Sequence, residues 1–160
     1  MFVLVIGAGR VGSSVATSAL RAGHTVSVLD EDPLSHERLD VELGRSWEEA
    51  GGRFTIGTAL ELDALEEAGI DDAEVFIAST NGDNTNLVVA QIAQRRFHVP
   101  RVIARVLDPR RAAWYQEQGV HTVCPTQIAI EQLERVALGP ADNAAAAADP
   151  TRAERESSEI

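Results

Sequence analysis

The sequence contains no lysine: all 14 of its basic residues are arginines. A Walker A phosphate loop and Schiff-base catalysis both require a lysine amine, so both are excluded. The chain also has a single cysteine, Cys124, which excludes an internal disulfide and a zinc site built from several cysteines. Phosphate recognition, if there is any, must therefore come from backbone amides and arginine.

Long hydrophobic runs and excess positive charge are missing as well. No apolar stretch approaches the ~20 residues that cross a bilayer, and the start Met1 to Ile6 lacks the basic flank and length of a signal peptide. Against 25 acidic residues there are 14 basic ones, which gives a net charge of -11. Phosphate backbones attract the opposite charge. We therefore expect no direct membrane insertion and no nucleic-acid partner.

The sequence does contain short apolar runs that alternate with amphipathic stretches, a pattern typical of a parallel sheet with helices on both faces. The length of 160 residues suits one domain. We predict an α/β domain over residues 1–138 and a disordered, acidic, alanine-rich tail over residues 139–160. Six strands are predicted, at residues 2–6, 25–29, 53–56, 75–78, 101–106 and 120–124.

Two connections are less regular than the rest. The second helix is predicted to begin near Pro33, with Asp32 placed to cap it. The polar residues 44–51 are long enough to form an extended loop or an extra helical turn.

The last helix is expected over about residues 128–138, ending at Gly139 and Pro140.

A glycine-rich motif follows the first strand directly. Residues 7–12, GAGRVG, fit G-x-G-x-x-G and open the first helix. In this motif the first glycine allows a tight turn, the second lets backbone amides approach a diphosphate, and the third lets the helix pack against the sheet. The helix N-terminus adds free N–H groups and a partial positive charge. The motif predicts a dinucleotide-type phosphate site.

Asp30 ends the second strand at the interval from Gly7 that dinucleotide folds use. A carboxylate there accepts hydrogen bonds from ribose hydroxyls and repels a 2′-phosphate, so NADP is disfavoured. Glu31 and Asp32 add negative charge, although helix capping alone would also explain Asp32.

Further polar residues fall at the same expected edge of the sheet. Arg10 lies inside the glycine loop, where its guanidinium could contact terminal phosphates or simply be solvated. Ser79, Thr80 and Asn81 follow the fourth strand, and either a ligand crevice or ordinary turn chemistry accounts for them.

In order along the chain, these features resemble the regulator of potassium conductance (RCK) domain, also called the TrkA N-terminal domain family. The resemblance runs from Met1 to about Leu138. The matching segments are residues 5–12 (VIGAGRVG), 28–33 (VLDEDP), 65–70 (LEEAGI), 72–73 (DA), 86–87 (NL), 99–106 (VPRVIARV) and 108–109 (DP).

The resemblance implies a Rossmann-like, doubly wound parallel sheet of six strands. It also implies that the chain binds an adenine nucleotide, either ATP/ADP or NAD/NADH, and regulates an integral-membrane potassium transporter or channel from its cytoplasmic face. Such a protein would be cytoplasmic, at the inner face of the membrane. A homodimer or larger ring is implied too, with the sixth strand and the last helix crossing to a second copy.

Site residues follow from the same resemblance. It implies phosphate contacts from the glycine loop, ribose contacts at the end of the second strand, and base-side contacts after the third strand, where the family usually has Gly-Asp. Some members bind a cation through a glutamate after the sixth strand, but here Thr126 follows Pro125, so we assign no metal site. The full set of implied cofactor-binding residues is Gly7, Ala8, Gly9, Arg10, Val11, Asp30, Glu31, Asp32, Gly57, Thr58, Ser79, Thr80, Asn81 and Arg105.

Two other functions fit the residues less well. The chain could be the cofactor half of an NAD-dependent oxidoreductase, or a dimerising scaffold with an empty cleft. An oxidoreductase needs a substrate domain and an acid or base beside the nicotinamide. The four histidines fall away from the predicted ligand edge, so we expect no catalytic residue and no enzyme activity.

Overall fold

A computed structural model describes residues 1–139 of the chain, so the predicted tail lies outside the described residues except for Gly139. These residues form a six-stranded, all-parallel sheet with a helix after each strand, a Rossmann-like α/β fold. The strands are β1 (Phe2–Ile6), β2 (Thr25–Asp30), β3 (Arg53–Ile56), β4 (Val75–Ala78), β5 (Arg101–Arg105) and β6 (His121–Val123). The helices are α1 (Arg10–Arg21), α2 (Ser35–Leu43), α3 (Leu62–Glu67), α4 (Asp83–Arg95), α5 (Pro109–Glu117) and α6 (Pro125–Leu138), with a 3-10 turn at Ile70–Asp72.

The strand order is β3-β2-β1-β4-β5-β6, so the chain reverses its direction of travel across the sheet between β1 and β4. Such a point opens a crevice at the carboxyl ends of the strands, where ligands of open α/β sheets bind. The glycine loop follows β1, and Ser79 follows β4, so both predicted features lie at this point of the sheet.

The core has a layer on each face of the sheet because neighbouring strand residues point to opposite faces. Leu4 and Ile6 of β1 belong to one buried cluster, together with residues of α3 and α4. Val3 and Val5 belong to another, together with residues of α1 and α2. This confirms the prediction of helices on both faces.

The start of α2 differs from the prediction. The helix begins at Ser35 after the N-cap residue Leu34, and no side chain caps it. Asp32 instead accepts a hydrogen bond at Oδ1 from the Leu34 N–H (2.9 Å), and its carbonyl accepts one from the Ser35 N–H (3.0 Å). The short Asp-Pro turn satisfies the Asp32 carboxylate locally and keeps Pro33 and Leu34 out of the helix.

Residues 44–52 form turns around a buried tryptophan. Trp47 is fully buried, its indole N–H donates to the Arg53 carbonyl at 3.0 Å, and its backbone N–H donates to Asp40 Oδ1 at 2.7 Å. A Cβ at Gly52 would come within 2.3 Å of the indole ring, so glycine is required there for the chain to pass. The polar segment, predicted as an extended loop or an extra helical turn, thus contributes one of the largest core side chains.

Residues Met1–Thr126 form one compact unit, and a second unit begins at Gln127, so nearly all of α6 is described by itself. Ile130, Leu133 and Val136 recur at three-residue steps on one face of α6, and all three are exposed. Among residues 1–139 no helix combines the length and the apolar character that crossing a bilayer would require.

Candidate functional site

A cleft of about 620 Å³ lies at the carboxyl edge of the sheet, at the reversal between β1 and β4. Every predicted site residue except Ala8 lines it, so the fold brings the separate sequence motifs together. The lining residues are Ile6, Gly7, Gly9, Arg10, Val11, Leu29, Asp30, Glu31, Asp32, Ser35, Arg38, Gly57, Thr58, Ala59, Leu60, Ser79, Thr80, Asn81, Thr85 and Arg105.

The glycine loop forms one wall of the cleft. Gly7 has φ +90°, and a Cβ there would lie 2.9 Å from the Thr80 backbone nitrogen. A Cβ at Gly12 would lie 1.8 Å from the Gly7 carbonyl oxygen, whereas one at Gly9 would meet no atom within 4 Å. Gly9 is the N-cap of α1 and has no capping side chain, so the first amides of α1 open toward the cleft.

Asp30 holds this loop from the opposite wall. Its Oδ2 accepts a hydrogen bond from the Ala8 N–H at 2.6 Å, and its Oδ1 accepts one from the Asp32 N–H at 2.9 Å. Ala8 is fully buried, and its backbone bonds within the protein, which is why it does not line the cleft. Each Asp30 oxygen keeps a second lone pair for a further donor.

Ser79 is buried and ties β4 to the glycine loop. Its hydroxyl lies 3.0 Å from the Ile6 carbonyl and 3.1 Å from the Gly7 carbonyl, so it donates to the backbone where β1 ends. Thr80 and Asn81 continue from it along the cleft wall, and Asn81 is exposed.

A buried asparagine organises the turn after β4. Asn86 is fully buried, and its Oδ1 accepts from both the backbone N–H (2.9 Å) and the hydroxyl (2.7 Å) of Thr80. Its Nδ2 donates to the carbonyls of Thr80 and Arg105, each at 2.9 Å. One side chain therefore fixes the carboxyl ends of β4 and β5 beside the cleft.

Arg105 lies at the end of β5. Its guanidinium Nη2 donates to the Thr80 carbonyl, while its Nε is buried and has no hydrogen-bond partner within residues 1–139. A buried N–H without an acceptor costs free energy, and an incoming oxygen atom would satisfy it.

Gly57 and Thr58 close the far end of the cleft after β3. The Gly57 N–H donates to the Asp30 carbonyl at 3.0 Å. A Cβ at Gly57 would lie 2.8 Å from the Ala64 Cβ, so α3 packs closely over this position. Glu31 and Asp32 are exposed at the mouth of the cleft and make its β2 side acidic.

Arg38 is a cleft residue that the sequence did not reveal. It lies on α2, and its Nη1 donates to the Ala8 carbonyl at 2.7 Å. The packing of α2 on the sheet decides which of its residues face the cleft, and this could not be predicted from a helix start placed only near Pro33. Arg38 brings a third guanidinium to the cleft, after Arg10 and Arg105.

The sequence matches the family model of the TrkA-N domain over residues 3–126. It is 42% identical over 135 residues to the Trk system potassium uptake protein TrkA of Streptomyces coelicolor, covering 84% of this chain and 57% of that protein. It is 30% identical over 141 residues to a TrkA homologue of Methanothermobacter thermautotrophicus, covering 88% of this chain and 62% of that protein. The chain thus spans about three fifths of the length of these relatives.

Two solved structures share the fold of this chain. The C-terminal domain of Shewanella denitrificans Kef in AMP-bound form is 25% identical, with a TM-score of 0.70 over 98% of this chain and 88% of that one. The TrkA-N domain of the Escherichia coli inner-membrane protein ybaL shares the fold at 20% identity, with a TM-score of 0.70 over 84% of this chain and 95% of that one. On the strength of the family model and these relatives, the chain belongs to the TrkA-N domain family.

Proposed function

We propose that the cleft binds an adenine nucleotide, ATP/ADP or NAD/NADH, and that the chain is the nucleotide-responsive part of a potassium-uptake regulator. The observation that carries the proposal is the uncapped N-terminus of α1, which opens into the 620 Å³ cleft opposite Asp30. A helix N-terminus of this kind binds phosphate oxygens, and an acidic residue at the end of β2 binds ribose.

In this proposal the diphosphate lies against Gly7, Gly9 and the first-turn amides at Arg10 and Val11. The ribose hydroxyls donate to the free lone pairs of Asp30, whose position the Ala8 and Asp32 amides already fix. Since Asp30, Glu31 and Asp32 make this end negative, a 2′-phosphate is repelled and NADP binds weakly. The base would lie toward Gly57 and Thr58.

Three arginines of the cleft, Arg10, Arg38 and Arg105, supply the positive charge that a lysine supplies in many phosphate sites. Arg10 is exposed at the start of α1, where it can move onto terminal phosphates. Arg105 offers a buried Nε without an acceptor in the described part of the chain, and Ser79, Thr80 and Asn81 line the wall beside it. Charge-assisted hydrogen bonds from guanidinium groups favour nucleotides with more phosphates.

The Kef C-terminal domain, which is similar to this chain, was solved in AMP-bound form, and this supports an adenine nucleotide as the ligand. The relatives named as Trk system potassium uptake proteins support a role in potassium transport, with an integral-membrane transporter or channel subunit as partner. The chain would then work in the cytoplasm, at the inner face of the membrane.

Regulation without chemistry is the proposed mode of action. The residues that line the cleft in the described part of the chain include no histidine and no cysteine, and the Asp30 and Ser79 side chains already form hydrogen bonds with backbone groups. Nucleotides that differ in phosphate number or redox state would stabilise different arrangements of paired domains and so gate the partner. Pairing through the exposed apolar face of α6 would supply the homodimer or larger ring.

The direct test is isothermal titration of the 160-residue chain with ATP, ADP, AMP, NAD, NADH and NADP. We expect binding of adenine nucleotides, the weakest affinity for NADP, and no oxidation of NADH with added electron acceptors. No binding of any of the six would contradict the proposal, and tightest binding of NADP would refute the role of Asp30.

The transport role has its own test. In the organism that carries this chain, uptake of rubidium, a potassium analogue, is measured with the native sequence and with Gly9→Ala in its place. We expect the rate of uptake to change in the variant. An unchanged rate, with nucleotide binding abolished in the purified variant, would separate nucleotide binding from potassium uptake and overturn this part of the proposal.

A further inference from the structure

We propose that His36, Asp40 and Glu48 form a binding site for a divalent transition-metal ion of the zinc class. We refer to these three residues as the His36 cluster. None of them lines the cleft, so the site is separate from the proposed nucleotide site. It also differs from the position after β6, where some family members have a glutamate ligand and this chain has Thr126.

The fold brings the three side chains together from two parts of the chain. His36 and Asp40 are one helical turn apart on α2 and therefore share a face. Glu48 comes from the turns that follow the helix, and its Oε1 lies 2.6 Å from His36 Nε2. One ligand atom from each residue can be chosen such that all three lie within 4.8 Å of one another.

The core holds two of these ligands in position. Asp40 accepts the Trp47 backbone N–H at Oδ1 (2.7 Å), which leaves Oδ2 turned toward His36 Nδ1 at 3.8 Å. The His36 ring packs against Phe54, with ring centroids 5.3 Å apart. Because Trp47 is fully buried and adjacent to Glu48, the backbone that carries the third ligand is fixed as well. Outer contacts of this kind orient metal ligands.

The donor set selects the class of ion. One imidazole nitrogen and two carboxylates suit Zn²⁺, whereas Mg²⁺ and Ca²⁺ prefer oxygen ligands alone. Zn²⁺ contacts of ~2.0–2.2 Å to each ligand require separations of about 3.3–3.6 Å between ligand atoms in a tetrahedral site. The longest of the three distances between ligand atoms, which is at most 4.8 Å, must therefore shorten when the ion binds. The distance of 2.6 Å between His36 Nε2 and Glu48 Oε1 must lengthen. The Glu48 side chain can make this adjustment because 53% of it is exposed to solvent.

Charge favours the ion too. The cluster offers two carboxylates to the cation. A metal ion binds an imidazole nitrogen that carries no proton, so the proton of the His36–Glu48 hydrogen bond is released to solvent when the ion binds. Water would complete the tetrahedron, since the three residues supply three ligands. Both carboxylates lie close to the surface, so the ion has an entry path.

The test is titration of the purified 160-residue chain with ZnCl2 in competition with a chromogenic chelator. We expect one equivalent of Zn²⁺ to bind to the wild-type chain. We expect His36→Gln to weaken that binding at least about tenfold, and Glu48→Gln to weaken it severalfold. His24→Gln, at the turn before β2 and away from the cluster, is the matched control and should bind as the wild type does.

A second measurement keeps the proposal testable if a variant folds poorly. Bound Zn²⁺ stabilises the folded state, so it should raise the Tm of the wild type and of His24→Gln but not that of His36→Gln. Glu48 is exposed, and Glu48→Gln should fold normally. Equal Zn²⁺ affinity in wild type and His36→Gln, or no Zn²⁺ binding to the wild type, would show that the His36 cluster is only a structural ion pair and overturn the proposal.

Discussion

The three glycines of the loop differ in how much space the fold leaves for a side chain at each position. Gly7 needs its positive φ and its close approach to Thr80, and Gly12 needs the space between α1 and the Gly7 carbonyl. Gly9 needs neither, because a Cβ there meets no atom within 4 Å and φ is -67°. The fold therefore leaves room for a side chain at Gly9, and in the proposed function a bound phosphate would take up that room.

Gly9→Ala is predicted to fold normally and to lose nucleotide binding. The methyl group enters open space beside the cleft, so Tm should stay close to that of the wild type. A phosphate placed against the first amides of α1 would collide with it, so affinity for ATP and ADP should fall at least about tenfold, or by about 1.4 kcal/mol. Titration calorimetry and thermal unfolding measure the two effects.

Gly12→Ala is the matched control, with the same added methyl group three residues further along. Its Cβ would lie 1.8 Å from the Gly7 carbonyl, so this variant should lose stability as well as binding. If Gly9→Ala bound nucleotides as the wild type does, the phosphate position proposed here would be wrong.

Asn86→Asp is predicted to lower the free energy of unfolding by about 2–4 kcal/mol, because a carboxylate oxygen replaces the buried Nδ2 donor and faces two carbonyl oxygens. Those carbonyls belong to Thr80 and Arg105. Urea denaturation measures the loss. Asn81→Asp makes the same chemical change at an exposed position and should alter stability by less than about 0.5 kcal/mol. Equal stabilities of the two variants would contradict this account of Asn86.

At the level of elements, the strands were predictable and the connection after α2 was not. Apolar runs such as Phe2–Ile6, closed at once by glycine, leave few alternatives to a buried parallel strand. The segment around Trp47 carries no such period, because a single large side chain anchors it. Its burial depends on space that Asp40, Gly52 and Arg53 create only in the folded chain.

Trp47→Phe is predicted to lower the free energy of unfolding by about 1–3 kcal/mol. The smaller ring leaves a cavity, and the Arg53 carbonyl loses the indole N–H. The chain has two tryptophans, and the other, Trp114 on α5, is 55% exposed. Trp114→Phe is therefore the control and should cost less than about 0.5 kcal/mol.

Fluorescence distinguishes the same two variants without denaturant. In Trp114→Phe only the buried Trp47 emits, so the spectrum should be blue-shifted relative to that of Trp47→Phe. Matching spectra would mean that residues 44–52 do not bury Trp47 in solution.

At the level of the whole molecule, the cleft is assembled from the ends of five strands. Parallel strands end at one edge of the sheet, so chain position at a strand end was enough to predict Gly7, Asp30 and Ser79 as neighbours, whereas Gly57 and Arg105 were predicted from the family resemblance. Arg38 lies within a helix, where only the rotation of α2 decides which side chains face the cleft. The role of Asn86 was not predicted either, since three of its four hydrogen bonds go to Thr80 and the fourth goes to the Arg105 carbonyl, which only the fold brings near.

The state of association depends on α6. Ile130, Leu133 and Val136 lie on one face of this helix, and their exposed fractions are 40%, 68% and 76%. Contiguous exposed apolar surface of this kind is typical of an interface, and a second copy of the same helix is its self-complementary partner in a two-fold dimer. We therefore expect a dimer at micromolar concentration.

Leu133→Glu tests this expectation, because it places a charge at the centre of the apolar face. Desolvating that carboxylate in a dimer should raise the dissociation constant at least about tenfold, measured by sedimentation equilibrium. Arg135→Gln is the matched control, since it changes the net charge by the same amount on the opposite face of α6. Equal dissociation constants for the two variants would show that the interface does not lie on this face of α6. A monomeric wild type would contradict the domain pairing on which the proposed gating depends.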